Sequence, residues 1–231
     1  MGIGCWGKRS LRSLALAAVL LLSPGAGLSQ EKPGVPCGEQ LATSPRPSAT
    51  ATRWLTLNER AAQAGLRIRF ARPDEGEAIF RFLTAIRTEV RGAEKAYQTY
   101  HRPEDVDYDL YIMAQYYHAP PPARTGELLL IVDAKNSIVG TGGFAWLNEE
   151  TAEIRKMYLS PTLRGKGLGS ALLDYLMARA EAMGARALQL NTQPEMVEAL
   201  ALYLSRGFQW LRTTPQRITY RLELGTSGTP N

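Results

Sequence analysis

Hydrophobic positions along the chain follow two patterns, which predict strands and helices in a mixed order. Short apolar or alternating runs predict strands, and apolar residues three and four positions apart predict amphipathic helices. The predicted strands are residues 66–70, 128–132, 138–147, 153–159, 185–191, 208–212 and 218–224. The predicted helices are residues 73–88, 104–117, 168–184 and 192–207. The order β-α-α-β-β-β-α-β-α-β-β is typical of an α/β protein with a mixed sheet flanked by helices.

A glycine-rich turn joins the strand at residues 153–159 to the helix that follows. Its sequence is Arg164-Gly165-Lys166-Gly167-Leu168-Gly169-Ser170. Glycines let the backbone approach a phosphate closely, and the first turn of a helix offers free N–H groups and a positive dipole end. Arg164 and Lys166 add positive charge at the same place. We therefore expect a ligand that carries phosphate groups.

Spacing excludes two common phosphate-binding loops. A nucleotide P-loop requires a glycine followed by lysine and then serine or threonine, but Gly165-Lys166 leads to Gly167. The dinucleotide-binding turn requires glycine at position 170, where the chain has Ser170. The pattern that remains is Arg164-x-x-Gly167-x-Gly169.

A second pattern follows the predicted strand at residues 185–191. Thr192 is predicted to cap the next helix, and Glu195 is predicted to complete a capping box. In the string at residues 201–208, Tyr203 precedes the pair Gly207-Phe208.

The two patterns together resemble the signatures of the GNAT N-acetyltransferase superfamily. The resemblance covers about residues 66–224 and is most specific from residue 153 to residue 208. It implies the GNAT acyl-CoA N-acyltransferase fold, with a central mixed, mostly antiparallel sheet flanked by helices. It also implies an acetyl-CoA-dependent N-acetyltransferase that uses no metal. The donor contacts it implies are Met157, Tyr158, Leu159, Arg164, Gly165, Lys166, Gly167, Leu168, Gly169, Ser170, Asn191 and Tyr203.

Acetyl transfer to an amine needs a proton acceptor, a hydrogen-bond donor for the carbonyl oxygen and a proton for the leaving thiolate. Glu153, eleven residues before Arg164, matches the position of the glutamate base in histone-acetyltransferase-type members. Glu149, Glu150 and a water chain remain alternatives for the base.

The resemblance assigns the other catalytic roles to three residues. The backbone N–H of Met157 is expected to face the carbonyl oxygen. Tyr203 is expected to act as the general acid, and Asn191 to contact the pantetheine or to orient a water molecule. Without a ligand, Tyr203 would be a core tyrosine and Asn191 would simply end a strand.

The acceptor side is expected to lie within residues 74–118, which are rich in acidic and aromatic residues. Such residues can bind a cationic amine, but a solvated helix face with a tyrosine core stripe is the preferred interpretation. The acceptor is either a small-molecule amine or a protein amine. His101 and His118, the two histidines of the chain, lack metal-ligand spacing and are interpreted as loop residues.

The chain has 231 residues with 27 basic and 22 acidic side chains, and the excess of positive charge lies near its N-terminus. Residues 67–231 hold 20 basic and 19 acidic side chains, so nucleic-acid binding is not expected. Residues 1–30 contain Lys8, Arg9 and Arg12, then an apolar run, then small residues, which is the layout of a signal peptide. Membrane contact is expected only through this segment, if it is retained.

The remaining expectations concern the domain layout, the cellular location, the oligomeric state and an alternative function. Residues 31–65 are interpreted as a disordered linker rich in Pro, Ser and Thr, in which residues 56–64 are expected to form a short helix that leads into the domain. Residues 66–224 are interpreted as the acetyltransferase domain and residues 225–231 as a flexible tail. Acetyl-CoA favours a cytoplasmic protein, although residues 1–30 allow an exported or organellar one. The sequence leaves open whether the protein forms a homodimer. The rival function is a non-catalytic, acyl-CoA-binding regulatory module.

Overall fold

A computed structural model describes residues 48–92, 99–119, 123–215 and 217–225. In these residues the helices are α1 Ala49–Gln63, α2 Gly76–Arg91, α3 Tyr108–Tyr111, α4 Met113–Tyr116, α5 Leu168–Ala182 and α6 Val197–Leu204. The strands are β1 Arg67–Phe70, β2 Glu127–Val132, β3 Ile138–Trp146, β4 Thr151–Leu159, β5 Ala187–Thr192, β6 Gln209–Thr214 and β7 Arg217–Glu223. None of the described helices is long and apolar enough to span a bilayer.

The described strands form one sheet in the order β1-β2-β3-β4-β5-β7-β6. All neighbouring strands are antiparallel except β4 and β5, which run parallel. This confirms the prediction of a mixed, mostly antiparallel sheet flanked by helices.

Two apolar cores lie on opposite faces of this sheet, and β2 explains why both form. Its sequence is an almost continuous apolar run, as expected for a strand buried on both sides. Leu129 and Ile131 point into the core shared with α1 and α5. Leu128, Leu130 and Val132 point into the core shared with α2, α3 and α4. The second core positions the loop that leads into α3, and Asp107 of this loop contacts Lys156 on β4.

Helix α1, Ala49–Gln63, shows that the prediction of a disordered linker up to residue 65 is wrong for this range, where a short helix was expected only over residues 56–64. Ser48 caps the helix by accepting a hydrogen bond from the backbone N–H of Ala51 at 3.2 Å. Leu57 and Ala61, four residues apart, are fully buried against the rest of the protein. The predicted linker at residues 31–47, the signal-like residues 1–30 and most of the tail lie outside the described residues.

Two predicted helices differ from the structure. Thr192 does not cap a helix, because it ends β5 and pairs with Ile218, and α6 begins only at Val197. The predicted helix at residues 104–117 is two single turns, α3 and α4, joined at Ile112. The interpretation of this segment as a solvated face is wrong for Asp107 and Asp109, which are 0% and 4% exposed.

Candidate active site

The site is built where β4 and β5 separate. The two parallel strands pair from Thr151 opposite Ala187 to Ile154 opposite Leu190, and the pairing ends there. Beyond that point β5 stays paired with β7 as far as Thr192, while β4 continues beside β3 to Leu159. The sheet therefore opens into a fork between two strands that both carry candidate functional side chains.

A bulge in β4 shapes one arm of the fork. Gly143 pairs with Arg155 and Thr141 with Tyr158, so β4 has one residue more than β3 in this interval. Lys156 takes the left-handed backbone conformation, with φ at 57°, and its carbonyl accepts a 2.6 Å hydrogen bond from the hydroxyl of Thr141. The extra residue places the neighbouring side chains of Arg155 and Lys156 on the same face of the sheet.

One cleft, of about 610 Å³, extends from the fork to the glycine-rich turn. Gly165 and Gly167 have φ values of 71° and 75°, which glycine adopts without strain. A Cβ atom on Gly165 would meet nothing within 4 Å, so the loop is open on that side. Helix α5 begins directly after Gly167 with no side-chain cap, so its first N–H groups are left for a ligand.

Nine of the expected donor-binding residues line this cleft: Met157, Tyr158, Leu159, Arg164, Gly165, Gly167, Gly169, Ser170 and Tyr203. Three others do not. Lys166 is exposed outside the lining, the side chain of Leu168 is buried in the core, and Asn191 lines a different cleft.

The second cleft, of about 270 Å³, lies on the other side of the fork. Glu153, Asn191 and Arg217 are among its lining residues. The residues that line both clefts are Met157, Tyr158, Met196, Ala199 and Tyr203. The two clefts therefore meet at Met157 on β4 and Tyr203 on α6.

A chain of hydrogen bonds orients the carboxylate of Glu153. The hydroxyl of Thr219 on β7 donates to the side-chain oxygen of Asn191 at 2.8 Å. The amide nitrogen of Asn191 is thereby turned to donate to Glu153 at 2.5 Å. The guanidinium of Arg155 lies 3.4 Å from the other Glu153 oxygen. Of the three glutamates predicted as the base, Glu153 alone lines either cleft.

Tyr203 lies at the junction with its side chain 6% exposed. Burial raises the pKa of its phenol above the ordinary value, and the nearby Tyr158 raises it further. None of the hydrogen bonds among the described residues uses the Tyr203 hydroxyl. The phenol therefore stays protonated at neutral pH, with its hydroxyl at the junction of the two clefts.

A buried cluster of charges that forms part of the lining of the second cleft was not predicted from the sequence. The ammonium of Lys156 lies 2.5 Å from Asp107 and 2.9 Å from Asp109. Arg87 binds Asp107 through two nitrogens, and Arg155 lies 3.5 Å from Asp109. Burial alone would raise the pKa of Asp107, but Lys156 and Arg87 outweigh it and lower the pKa to about 2.

Only one sequence signal could have indicated this cluster. The pair Asp107 and Asp109 alternates with apolar residues, and the pair Arg155 and Lys156 places two adjacent charges in a predicted strand. Their meeting depends on the β4 bulge, which periodicity does not reveal. Among the described residues, no group of three or more His, Cys, Asp and Glu side chains is arranged to hold a metal ion.

The chain is similar in sequence to two curated proteins. It is 36% identical over 90 residues to YjgM, an uncharacterised N-acetyltransferase of Escherichia coli, and the match covers 38% of this chain and 54% of YjgM. It is 34% identical over 80 residues to an IAA acetyltransferase of Azospirillum brasilense, covering 34% of this chain and 52% of that protein. The chain thus spans about half the length of the curated relatives it matches.

Solved structures share the fold. An acetyltransferase of Streptococcus agalactiae has a TM-score of 0.56 at 17% identity, covering 69% of this chain and 99% of that one. YncA of Salmonella typhimurium, solved with its cofactor acetyl-CoA, has a TM-score of 0.50 at 21% identity, covering 72% and 98%. Residues 90–208 match the model of the acetyltransferase (GNAT) family. The chain therefore belongs to the GNAT family.

Proposed function

We propose that this protein transfers an acetyl group from acetyl-CoA to a primary amine, with both substrates bound at once. The observation that carries the proposal is that the two clefts meet at Met157 and Tyr203. A thioester in one cleft and an amine in the other would face each other at that junction. Direct attack then needs no nucleophilic side chain on the protein.

The residues of the larger cleft fit the donor. The turn at residues 164–170 has two glycines in the left-handed conformation, and it leads into an uncapped helix N-terminus. Backbone N–H groups there can bind a pyrophosphate, and Arg164 adds a cation. Acetyl-CoA would supply the activated acetyl group as a thioester.

Glu153 is proposed to take the proton of the acceptor amine. Its carboxylate lines the acceptor cleft, and the contacts with Asn191 and Arg155 fix its direction. The nitrogen of the amine must be neutral to attack, so a carboxylate held in the cleft lowers the barrier by accepting the proton, directly or through a water molecule.

Two further groups are proposed to act on the thioester. The backbone N–H of Met157 lies on the arm of β4 that no longer pairs with β5, so it can donate to the carbonyl oxygen as charge develops there. As the C–N bond forms and the C–S bond breaks, the Tyr203 hydroxyl can donate its proton to the departing sulfur.

Thiol release from acetyl-CoA, measured with a panel of amines, tests this function. We expect at least one amine to support turnover, and Glu153→Gln to lower kcat by about 10²-fold because the proton acceptor is lost. Glu150→Gln is the matched control, since Glu150 is an exposed partner of Arg186 outside both clefts. Tight binding of acetyl-CoA with no turnover on any amine would instead favour the regulatory module.

The proposed reaction also restricts the cellular compartment in which the protein can act. We propose the cytoplasm, or an organelle that contains acetyl-CoA, because the donor must be present. Residues 1–30 lie outside the described residues, and mass spectrometry of the mature N-terminus tests whether they are removed. A mature chain recovered only outside the cell would contradict the proposal.

A further inference from the structure

Arg60 lies against the glycine-rich turn although it comes from a distant part of the chain. It belongs to the last turn of α1, which precedes the segment matched by the family at residues 90–208. A Cβ atom added to Gly167 would lie 2.5 Å from a terminal nitrogen of Arg60 and 3.2 Å from its guanidinium carbon. The guanidinium therefore occupies the space that a side chain at position 167 would fill.

Packing of α1 fixes this contact. Leu57 and Ala61, the buried residues of α1, are 0% and 1% exposed. The hydroxyl of Thr50 donates to the carbonyl of Ala178 on α5 at 3.1 Å, and the ring of Trp54 lies 4.9 Å from that of Tyr175 on α5. Helix α1 is thus held against the same helix whose first turn forms the proposed phosphate site.

No described group neutralises the charge of Arg60. No acidic side chain in the described part of the chain pairs with it, and the residue is exposed. Arg164 and Lys166 lie in the same turn, so three cationic side chains surround a loop of open backbone N–H groups. An arginine guanidinium matches the oxygens of a phosphate with two parallel hydrogen bonds.

We propose that Arg60 binds a phosphate of coenzyme A, so that α1 completes the donor site from outside the segment matched by the family. The inference rests on the proposed function, because it takes the turn at residues 164–170 as the phosphate site. It also adds a reason for glycine at position 167, since any side chain there would displace the guanidinium.

Calorimetric titration of the full chain with coenzyme A tests this role without measuring turnover. We expect Arg60→Gln to raise Kd about tenfold, because a hydrogen-bonded ion pair with phosphate is lost, and Arg60→Lys to recover part of the loss. Arg53→Gln is the matched control, an exposed arginine on the same helix and roughly 10 Å farther along its axis. Its Kd should stay within twofold of the wild type.

Dephospho-coenzyme A, which lacks the 3′-phosphate, identifies the phosphate. A loss that persists with this probe supports contact with the pyrophosphate, and a loss that vanishes supports contact with the 3′-phosphate. An Arg60→Gln protein that binds coenzyme A as tightly as the wild type, or no more weakly than Arg53→Gln, overturns the inference. A wild-type protein that does not bind coenzyme A overturns the proposed function itself.

Discussion

Replacing Lys156 by methionine removes one positive charge from the buried cluster while keeping a side chain of similar length. Lys156 is 3% exposed, and its ammonium contacts Asp107 and Asp109, which are equally buried. Arg87 and Arg155 are the other cations of the cluster, and Glu153 is its third anion. Among the described residues the cluster holds three cations and three anions, so the variant leaves its buried carboxylates with one positive charge too few.

The expected cost follows from that imbalance. Removing one partner of a buried ion pair typically destabilises a protein by about 3–5 kcal/mol, because the remaining charge is neither solvated nor neutralised. Methionine still has to adopt the positive φ of position 156, so no backbone strain is relieved. We therefore expect the free energy of unfolding to fall by about 3 kcal/mol or more.

Urea unfolding followed by circular dichroism measures the change. The m-value should stay constant, so that the loss appears as a lower midpoint. Lys166→Met is the control, because Lys166 is exposed and a surface substitution usually changes stability by less than about 0.5 kcal/mol. The double variant Lys156→Met with Asp109→Asn restores the balance of charge and should be more stable than Lys156→Met alone. A Lys156→Met protein within about 1 kcal/mol of the wild type would refute the reasoning.

Three further predictions concern the junction, the loop and acid stability. Tyr203→Phe should lower kcat by about 10²-fold with little change in the acetyl-CoA KM, since only the proton donor is lost; an unchanged kcat in steady-state assays would remove its proposed role. Gly167→Ala should raise the Kd for coenzyme A at least fivefold, because alanine is strained at a φ of 75° and its Cβ would displace Arg60; equal affinity by calorimetry would contradict this. The pKa of Asp107 is lowered to about 2 in the folded protein. Its contribution to stability should be present above about pH 4 and lost as the pH falls to 2, and urea midpoints that stay flat across this window would argue against it.

Local patterns predict the proposed donor half of the site better than the proposed acceptor half. The proposed phosphate site consists of the backbone of the glycine-rich turn and the first turn of the helix that follows. Both are determined by residues that are close together in the sequence. The order of strands and most of their positions also follow from apolar runs, as β2 illustrates. These features can therefore be predicted without information about contacts between distant residues.

The acceptor half depends on contacts between distant segments. Lys156 meets Asp107 and Asp109 only because β4 carries a bulge, and a strand that alternates without a bulge would turn Lys156 to the opposite face. The hydrogen bonds from Thr219 to Asn191 to Glu153 join three different strands. The first part of helix α1 was missed because it directly follows the Pro-rich residues 31–47 and was assigned to the same linker.

A crystal structure of the protein with coenzyme A most directly tests whether the fork between β4 and β5 is the site of acetyl transfer. We expect the pyrophosphate on the backbone N–H groups of residues 165–170, and the sulfur within hydrogen-bond distance of the Tyr203 hydroxyl. Coenzyme A bound elsewhere, or a sulfur far from the junction of the two clefts, would contradict the proposed site.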